Sequence, residues 1–217
     1  MSETATQAHA RHRTRIKICG ITRVEDGLAA AHCGADAIGL VFFPSSPRHV
    51  ELAQAQEIAR SLPAFVSVVP LFVNAAPQLV REVIDQVRPA LLQFHGDESV
   101  AECERYSHPY IRAARMRDGL NLLDFAHQFS TSQALVLDAF VPGYGGGGEV
   151  FDWSRIPENV ALPLVLSGGL HAANVTHAIR QVRPWGVDVS TGVETSKGIK
   201  SAQRIAEFIA AVRAADL

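Results

Sequence analysis

From residue 15 onward, short β-branched or apolar runs alternate with longer Ala-rich segments. The runs are RIKIC (15–19), DAIGLVF (36–42), VSVVPLFV (66–73), ALLQF (90–94), YIRAA (110–114), ALVLD (134–138), PLVL (163–166) and GVDVS (186–190). Runs that are mostly apolar on both faces read as strands of a parallel sheet covered by helices. Helical signals lie between them. VEDGLAAAHCG ends on a glycine suited to a C-cap, ELAQAQEIARSL stops before Pro63, and PQLVREVIDQV opens on proline. ESVAECERY, GLNLLDFAHQF, HAANVTHAIRQV and SAQRIAEFIAAVRAA continue the series. Only the segment after the sixth strand is glycine-rich and poor in helix signals before DWSRI.

Eight strand–helix units in this length take about 25 residues each, near the minimum for a strand, a helix and two loops. The pattern predicts an α/β fold, a single-domain (βα)8 TIM barrel over residues 15–217. An open doubly wound sheet also fits the alternation. The polar segment MSETATQAHARHRT (1–14) is expected to be a flexible N-terminal tail.

Composition narrows the class further. Lys plus Arg number 20 against 22 Asp plus Glu, a net charge of −2, which lacks the basic balance of a nucleic-acid binder. Any anion site must be local. No apolar run approaches the length of a membrane span, and the N-terminus lacks the apolar core of a secretory signal. Cys19, Cys33 and Cys103 form no C-x-x-C pair and leave one cysteine over, which favours a reducing compartment. A cytoplasmic monomer is the expectation.

In such a barrel, chemistry sits at the C-terminal ends of the strands. LSGGL after strand seven and VSTGVE after strand eight expose backbone N–H groups at Gly168, Gly169, Ser190, Thr191 and Gly192, suited to a phosphate. Gly and Ser are also common in tight βα turns. Cys19 ends strand one, and Lys17 shares its strand face, so an ammonium there favours the thiolate. A buried packing cysteine is the plainer alternative. Asp138 closes an apolar strand, a costly position without partners or function. Asp188 reads as a polar residue of the barrel interior or as a support for a neighbour. Arg48, in the proline-stiffened loop FFPSSPRHV, can clamp a carboxylate or simply lie in solvent. His95 either polarises a ligand or holds its loop. The nine histidines show no metal-ligand spacing, and neither a nucleophile elbow nor a Walker loop occurs, so no metal or cofactor is expected.

Read in order, the strand ends resemble the phosphoribosylanthranilate isomerases. The similar segments are RIKICGITRVEDGLAAAHCGADAIGLVFFPSSPRHV, LFVN, LLQFHGDES, LVLDAF, GYGGGGEVFDW, LVLSGGLHAANV and VDVSTGVE with GIK. They cover residues 15 to about 200. The resemblance implies an Amadori rearrangement of N-(5-phosphoribosyl)anthranilate, with Cys19 as general base and Asp138 as general acid. It places the anthranilate carboxylate on Arg48 and the phosphate on the loops of Gly168, Gly169, Ser190, Thr191 and Gly192. Lys17, His95 and Asp188 are expected in support. A related histidine-pathway isomerase uses an aspartate at the end of strand one, where this chain has Cys19. A silent phosphate-sensing barrel would not need Cys19, Asp138 and Arg48 together. STGVE replaces the commoner SSGVE, and GGGG stands where a hydroxyl residue is usual. Gly143, Gly145 and Gly148 spell G-x-G-x-x-G, but after the sixth strand and too late for a dinucleotide turn. Gly145, Gly146, Gly147 and Gly148 are instead expected to form a lid loop beside Asp138.

Overall fold

The computed structural model describes residues 13–139 and 150–216. Eight parallel strands close into a barrel in chain order: β1 (Arg15–Cys19), β2 (Ala37–Phe42), β3 (Ser67–Phe72), β4 (Leu92–Phe94), β5 (Tyr110–Met116), β6 (Leu135–Ala139), β7 (Leu164–Leu166) and β8 (Gly186–Val189). Closure is made by β8 pairing with β1, Asp188 opposite Lys17. The open-sheet alternative is thereby excluded.

Around the barrel run α1 (Val24–Cys33), α2 (Leu52–Ser61), α3 (Pro77–Val87), α4 (Val100–Glu104), α5 (Leu122–Gln128), α6 (Ala172–Val182) and α7 (Ala202–Ala215). Their ends follow local chemistry. Gly34 takes a left-handed φ of 98° and closes α1, while Ser99 and Glu102 form a capping box at the start of α4. Between Val150 and β7 the described chain has only a short 3-10 turn at Trp153–Arg155, in keeping with the weak helix signal there. An antiparallel hairpin, β9 (Glu194–Ser196) and β10 (Ile199–Lys200), follows β8 and was not legible as a strand pair. Gly198, with φ 81°, turns it.

Side-chain alternation divides the core. Ile16, Ile18, Ile38, Leu40, Phe42, Phe72, Leu92, Phe94, Leu135 and Leu137 face outward and pack in one cluster with the helices. Phe42, Phe72 and Phe94 follow one another across β2 to β4, with ring centroids 5.6 and 6.1 Å apart. Inside the barrel, one apolar layer contains Val69, Ile111, Ala113 and Val136, and a second holds Cys19, Val41, Leu71 and Val73. Each fully buried aliphatic side chain contributes about 1.5–3 kcal/mol. The strand ends that complete this second layer form the mouth where chemistry can occur.

The chain ends meet at the other face. Thr14 is buried, its hydroxyl 2.6 Å and its N–H 3.1 Å from the Asp216 carboxylate, so ordered structure begins before residue 15. No helix among the described residues is long and apolar enough to cross a membrane.

Candidate active site

On β1, period-2 alternation turns Ile16 and Ile18 toward the helices and Lys17 and Cys19 into the barrel. Lys17 Nζ donates to Asp188 Oδ1 at 2.8 Å, and Ser167 Oγ donates to Asp188 Oδ2 at 3.3 Å. Burial opposes the charge on Lys17, but Asp188 and Cys19 outweigh it and hold the ammonium above the ordinary lysine range. Burial pushes the Cys19 thiol up, with Lys17 pulling the other way. Cys19 thus sits buried beside a fixed cation that favours its ionised form. Gly39 on β2 leaves the room they need, since a Cβ there would lie 2.7 Å from Cys19 Sγ and 3.1 Å from Lys17 Nζ.

Asp138 enters from β6, one residue before the strand ends. Its Oδ2 lies 3.1 Å from His95 Nε2, and its Oδ1 accepts from the Ala139 N–H at 3.0 Å. His95 Nδ1 in turn lies 3.1 Å from Gln93 Nε2. Gln93, His95 and Asp138 form a line across β4 to β6. Arg115, opposite Asp138 in the β5–β6 register, donates to Asp97 at 2.7 Å.

The two loops assigned to phosphate come together. Gly168 and Gly169 have φ of 78° and 63°, conformations that suit only glycine at low cost. A Cβ on Gly168 would meet the Ala139 nitrogen at 2.7 Å. In the next loop, Gly192 lies so close to Leu170 that any side chain would collide with its carbonyl. Ser190 precedes a short 3-10 turn, Thr191–Val193, and α6 starts just beyond the Gly168–Gly169 loop. Loops after strands seven and eight, with an extra short helix, are the usual anion cradle of this architecture.

Arg48 is not a solvated arginine. It is buried, its Nε and Nη2 donating to the two carboxylate oxygens of Glu194 at 2.7 and 2.8 Å, and its Nη2 to Thr191 Oγ1 at 3.1 Å. Among the described residues, Nη1 has no hydrogen-bond partner. Lys200 completes the cluster, its Nζ 2.8 Å from Glu194 Oε1 and 3.1 Å from the Ser190 carbonyl. Burial alone would raise the Glu194 carboxyl, but Arg48 and Lys200 together hold it below the usual glutamate range. Two cations share one carboxylate here, leaving a net positive edge beside the Ser190–Gly192 loop.

The structure thus gathers Lys17, Cys19, Asp188, His95, Asp138, Arg48 and both glycine loops at one barrel end. Gly145–Gly148 lie outside the described residues. Among the described residues no group of His, Cys, Asp and Glu could hold a metal ion. Sequence reasoning assigned no role to Gln93, Glu194 or Lys200. Glu194 and Lys200 lie within STGVE and GIK, yet a buried ion pair between distant segments leaves no periodic trace. Proton donors and acceptors from β1 and from β4–β6, with an anion cradle at β7–β8, suit acid–base chemistry on a phosphorylated ligand.

Comparison with known proteins agrees. A family model described as N-(5′phosphoribosyl)anthranilate (PRA) isomerase matches residues 16–211. The N-(5′-phosphoribosyl)anthranilate isomerase of Leptothrix cholodnii is 59% identical over 204 residues, covering 94% of this chain and 93% of that one. A solved phosphoribosyl anthranilate isomerase in complex with reduced 1-(o-carboxyphenylamino)-1-deoxyribulose 5-phosphate aligns with TM-score 0.80 at 36% identity, covering 93% and 99% of the two chains. A structure described as monomers of the dimeric isomerase of Thermotoga maritima aligns with TM-score 0.78 at 33% identity over the same shares. On this similarity, which spans nearly the whole barrel, the chain belongs to the N-(5′-phosphoribosyl)anthranilate isomerase family.

Proposed function

We propose that the chain catalyses the Amadori rearrangement of N-(5′-phosphoribosyl)anthranilate to 1-(2-carboxyphenylamino)-1-deoxyribulose 5-phosphate, as an aldose–ketose isomerase of tryptophan biosynthesis. The observation that carries the roles is the pairing of an inward Cys19 beside Lys17 with an inward Asp138 beside His95, on separate strands of one barrel mouth.

The reaction needs a proton at the furanose ring oxygen and removal of the proton at C2′. Asp138, in its protonated form, delivers the first, and the ring opens to a protonated Schiff base. Cys19, as the thiolate, removes the second, giving an enolamine that tautomerises to the ketone. Substrate and product are isomers, so each turnover moves one proton from Asp138 to Cys19, and exchange with solvent resets the two groups. Lys17, itself fixed by Asp188, stabilises the negative charge of the Cys19 thiolate before it takes the proton. Arg48 offers Nη1 to the anthranilate carboxylate while Glu194 fixes the rest of its guanidinium. The N–H groups around Gly168, Gly169, Ser190, Thr191 and Gly192 receive the phosphate. The side chains supply every proton transfer, so the reading requires neither cofactor nor metal. The chain works as a cytoplasmic monomer on a small phosphorylated substrate, with no nucleic-acid or membrane partner; sedimentation of the purified protein tests the monomer.

The direct test supplies the purified chain with phosphoribosylanthranilate made in situ from anthranilate. The expected outcome is enzyme-dependent appearance of the open-chain product. No turnover above the uncatalysed background would overturn the assignment.

A further inference from the structure

Gln93 is fully buried inside the barrel. Its Nε2 contacts His95 Nδ1 at 3.1 Å, while its Oε1 is buried without a hydrogen-bond partner among the described residues. A buried acceptor left without a donor is costly. The two ends of a glutamine amide are nearly the same shape, so a rotation of the amide exchanges them in place.

The two orientations have different consequences at Asp138. With Nε2–H donating to His95 Nδ1, the single ring proton of neutral His95 sits on Nε2. It is donated to Asp138 Oδ2, 3.1 Å away, which must then be a carboxylate. With Oε1 turned to His95, Nδ1 carries the ring proton and donates it to Gln93. His95 Nε2 is then a bare acceptor, and its partner must be a protonated Asp138. The second arrangement holds one more proton than the first, taken from solvent. It also gives the orphaned Oε1 a donor.

We propose that Gln93 is a positioning residue for the general acid. Its amide orientation selects the His95 tautomer, and the tautomer selects whether Asp138 is held as carboxylate or as carboxylic acid. The proposal rests on the assignment of Asp138 as the acid. The form ready for ring opening has Gln93 Oε1 toward His95; the form left after the proton has passed to the ring oxygen has Nε2 toward it. No bond other than N–H and O–H bonds changes at this line of residues, and Asp138 is reloaded from solvent, which also takes up the proton that the rearrangement leaves on Cys19. The charged groups beside this line are Arg115 on β5, opposite Asp138 and held by Asp97, and Arg112 on β5, which donates to the Phe94 and Gly96 carbonyls on either side of His95. None of them replaces Gln93 at His95 Nδ1.

Nitrogen NMR of the isotopically labelled, ligand-free wild-type protein tests this without a variant. At a pH where the enzyme turns over, His95 is expected to be a neutral ring with Nδ1 protonated and Nε2 unprotonated. An Nδ1 that stays unprotonated wherever the enzyme turns over overturns the proposal, whereas absence of turnover at every pH overturns the isomerase assignment instead. Gln93→Glu supplies an acceptor that cannot donate as a carboxylate. It is expected to move the alkaline limb of kcat up by about one pH unit, with KM within about twofold, because it favours the proton-loaded pair. Gln93→Met, of similar length, is expected to lower kcat at least about tenfold at the pH optimum. A Gln93→Glu profile superimposable on wild type would likewise sink the proposal, since a purely structural glutamine would not shift it.

Discussion

At the level of single residues, the proposed roles divide into groups that would exchange protons with substrate and groups that set their charge. Asp138→Asn and Cys19→Ala are each expected to lower kcat at least about 100-fold while leaving the thermal melt in place. Near-normal turnover in either variant would remove that residue from the mechanism. Lys17 acts on Cys19 through charge. Removing it alone would strand Asp188, so the informative variant is the Lys17→Met, Asp188→Asn double. Lys17 lowers the Cys19 thiol more strongly than Asp188 raises it, and the pair's loss therefore leaves the thiol higher still. With the thiolate as the proposed base, the rising limb of the kcat–pH profile should move to higher pH in the double variant. A limb that moves down or stays fixed would separate Lys17 from the base. Cys19 and Asp138 were legible in the sequence because each closes an apolar run. Gln93 was not, since a polar residue inside ALLQF reads equally well as solvent-facing.

At the level of elements, the hairpin β9–β10 turns a loop into a support. Glu194 reaches back to Arg48, 146 residues away in the chain, and Lys200 spans from Glu194 to the Ser190 carbonyl. One buried carboxylate thus ties Arg48 to the loop after β8. Glu194→Gln leaves two buried cations without their counter-charge and should cost about 3–5 kcal/mol in denaturant unfolding at neutral pH. The pH dependence follows from the lowered Glu194 carboxyl. Its stabilisation is fully present above the unfolded value, near 4.5, and is lost as pH falls through the lower folded value. The wild type should therefore lose its advantage over Glu194→Gln on acidification below that point. An equal gap at every pH would show that Glu194 does not act through its charge. The strands themselves were placed within a residue or two, because β-branched runs bounded by loops fix type and position locally. The hairpin was not, because two short polar strands carry no apolar period.

At the level of the whole molecule, the barrel separates tasks by face. The candidate active-site residues cluster where the strands end, whereas the opposite face joins Thr14 to Asp216 and Arg13 and Arg15 to Asp36. Asp216→Ala removes two hydrogen bonds to Thr14 and should lower stability by about 1–3 kcal/mol, read as a fall in the melting midpoint. Its kcat at a temperature well below the midpoint should equal that of wild type. A comparable loss of kcat would mean that the two faces are coupled rather than separate.

The order of strands and helices, and the residue types that end each strand, were determined by the sequence itself. Both are local properties: period, caps and breakers act within a few residues, and a parallel barrel in chain order needs only neighbouring units to pair. What the tertiary structure decided is every contact that closes on a distant segment. The pairing of β8 with β1 made a barrel of the alternation and set Lys17 against Asp188. Tertiary packing also buried Arg48 against Glu194 and brought His95 to Asp138, 43 residues on. Buried polar groups are paired by geometry in a low-dielectric interior, and that geometry exists only once the chain has closed.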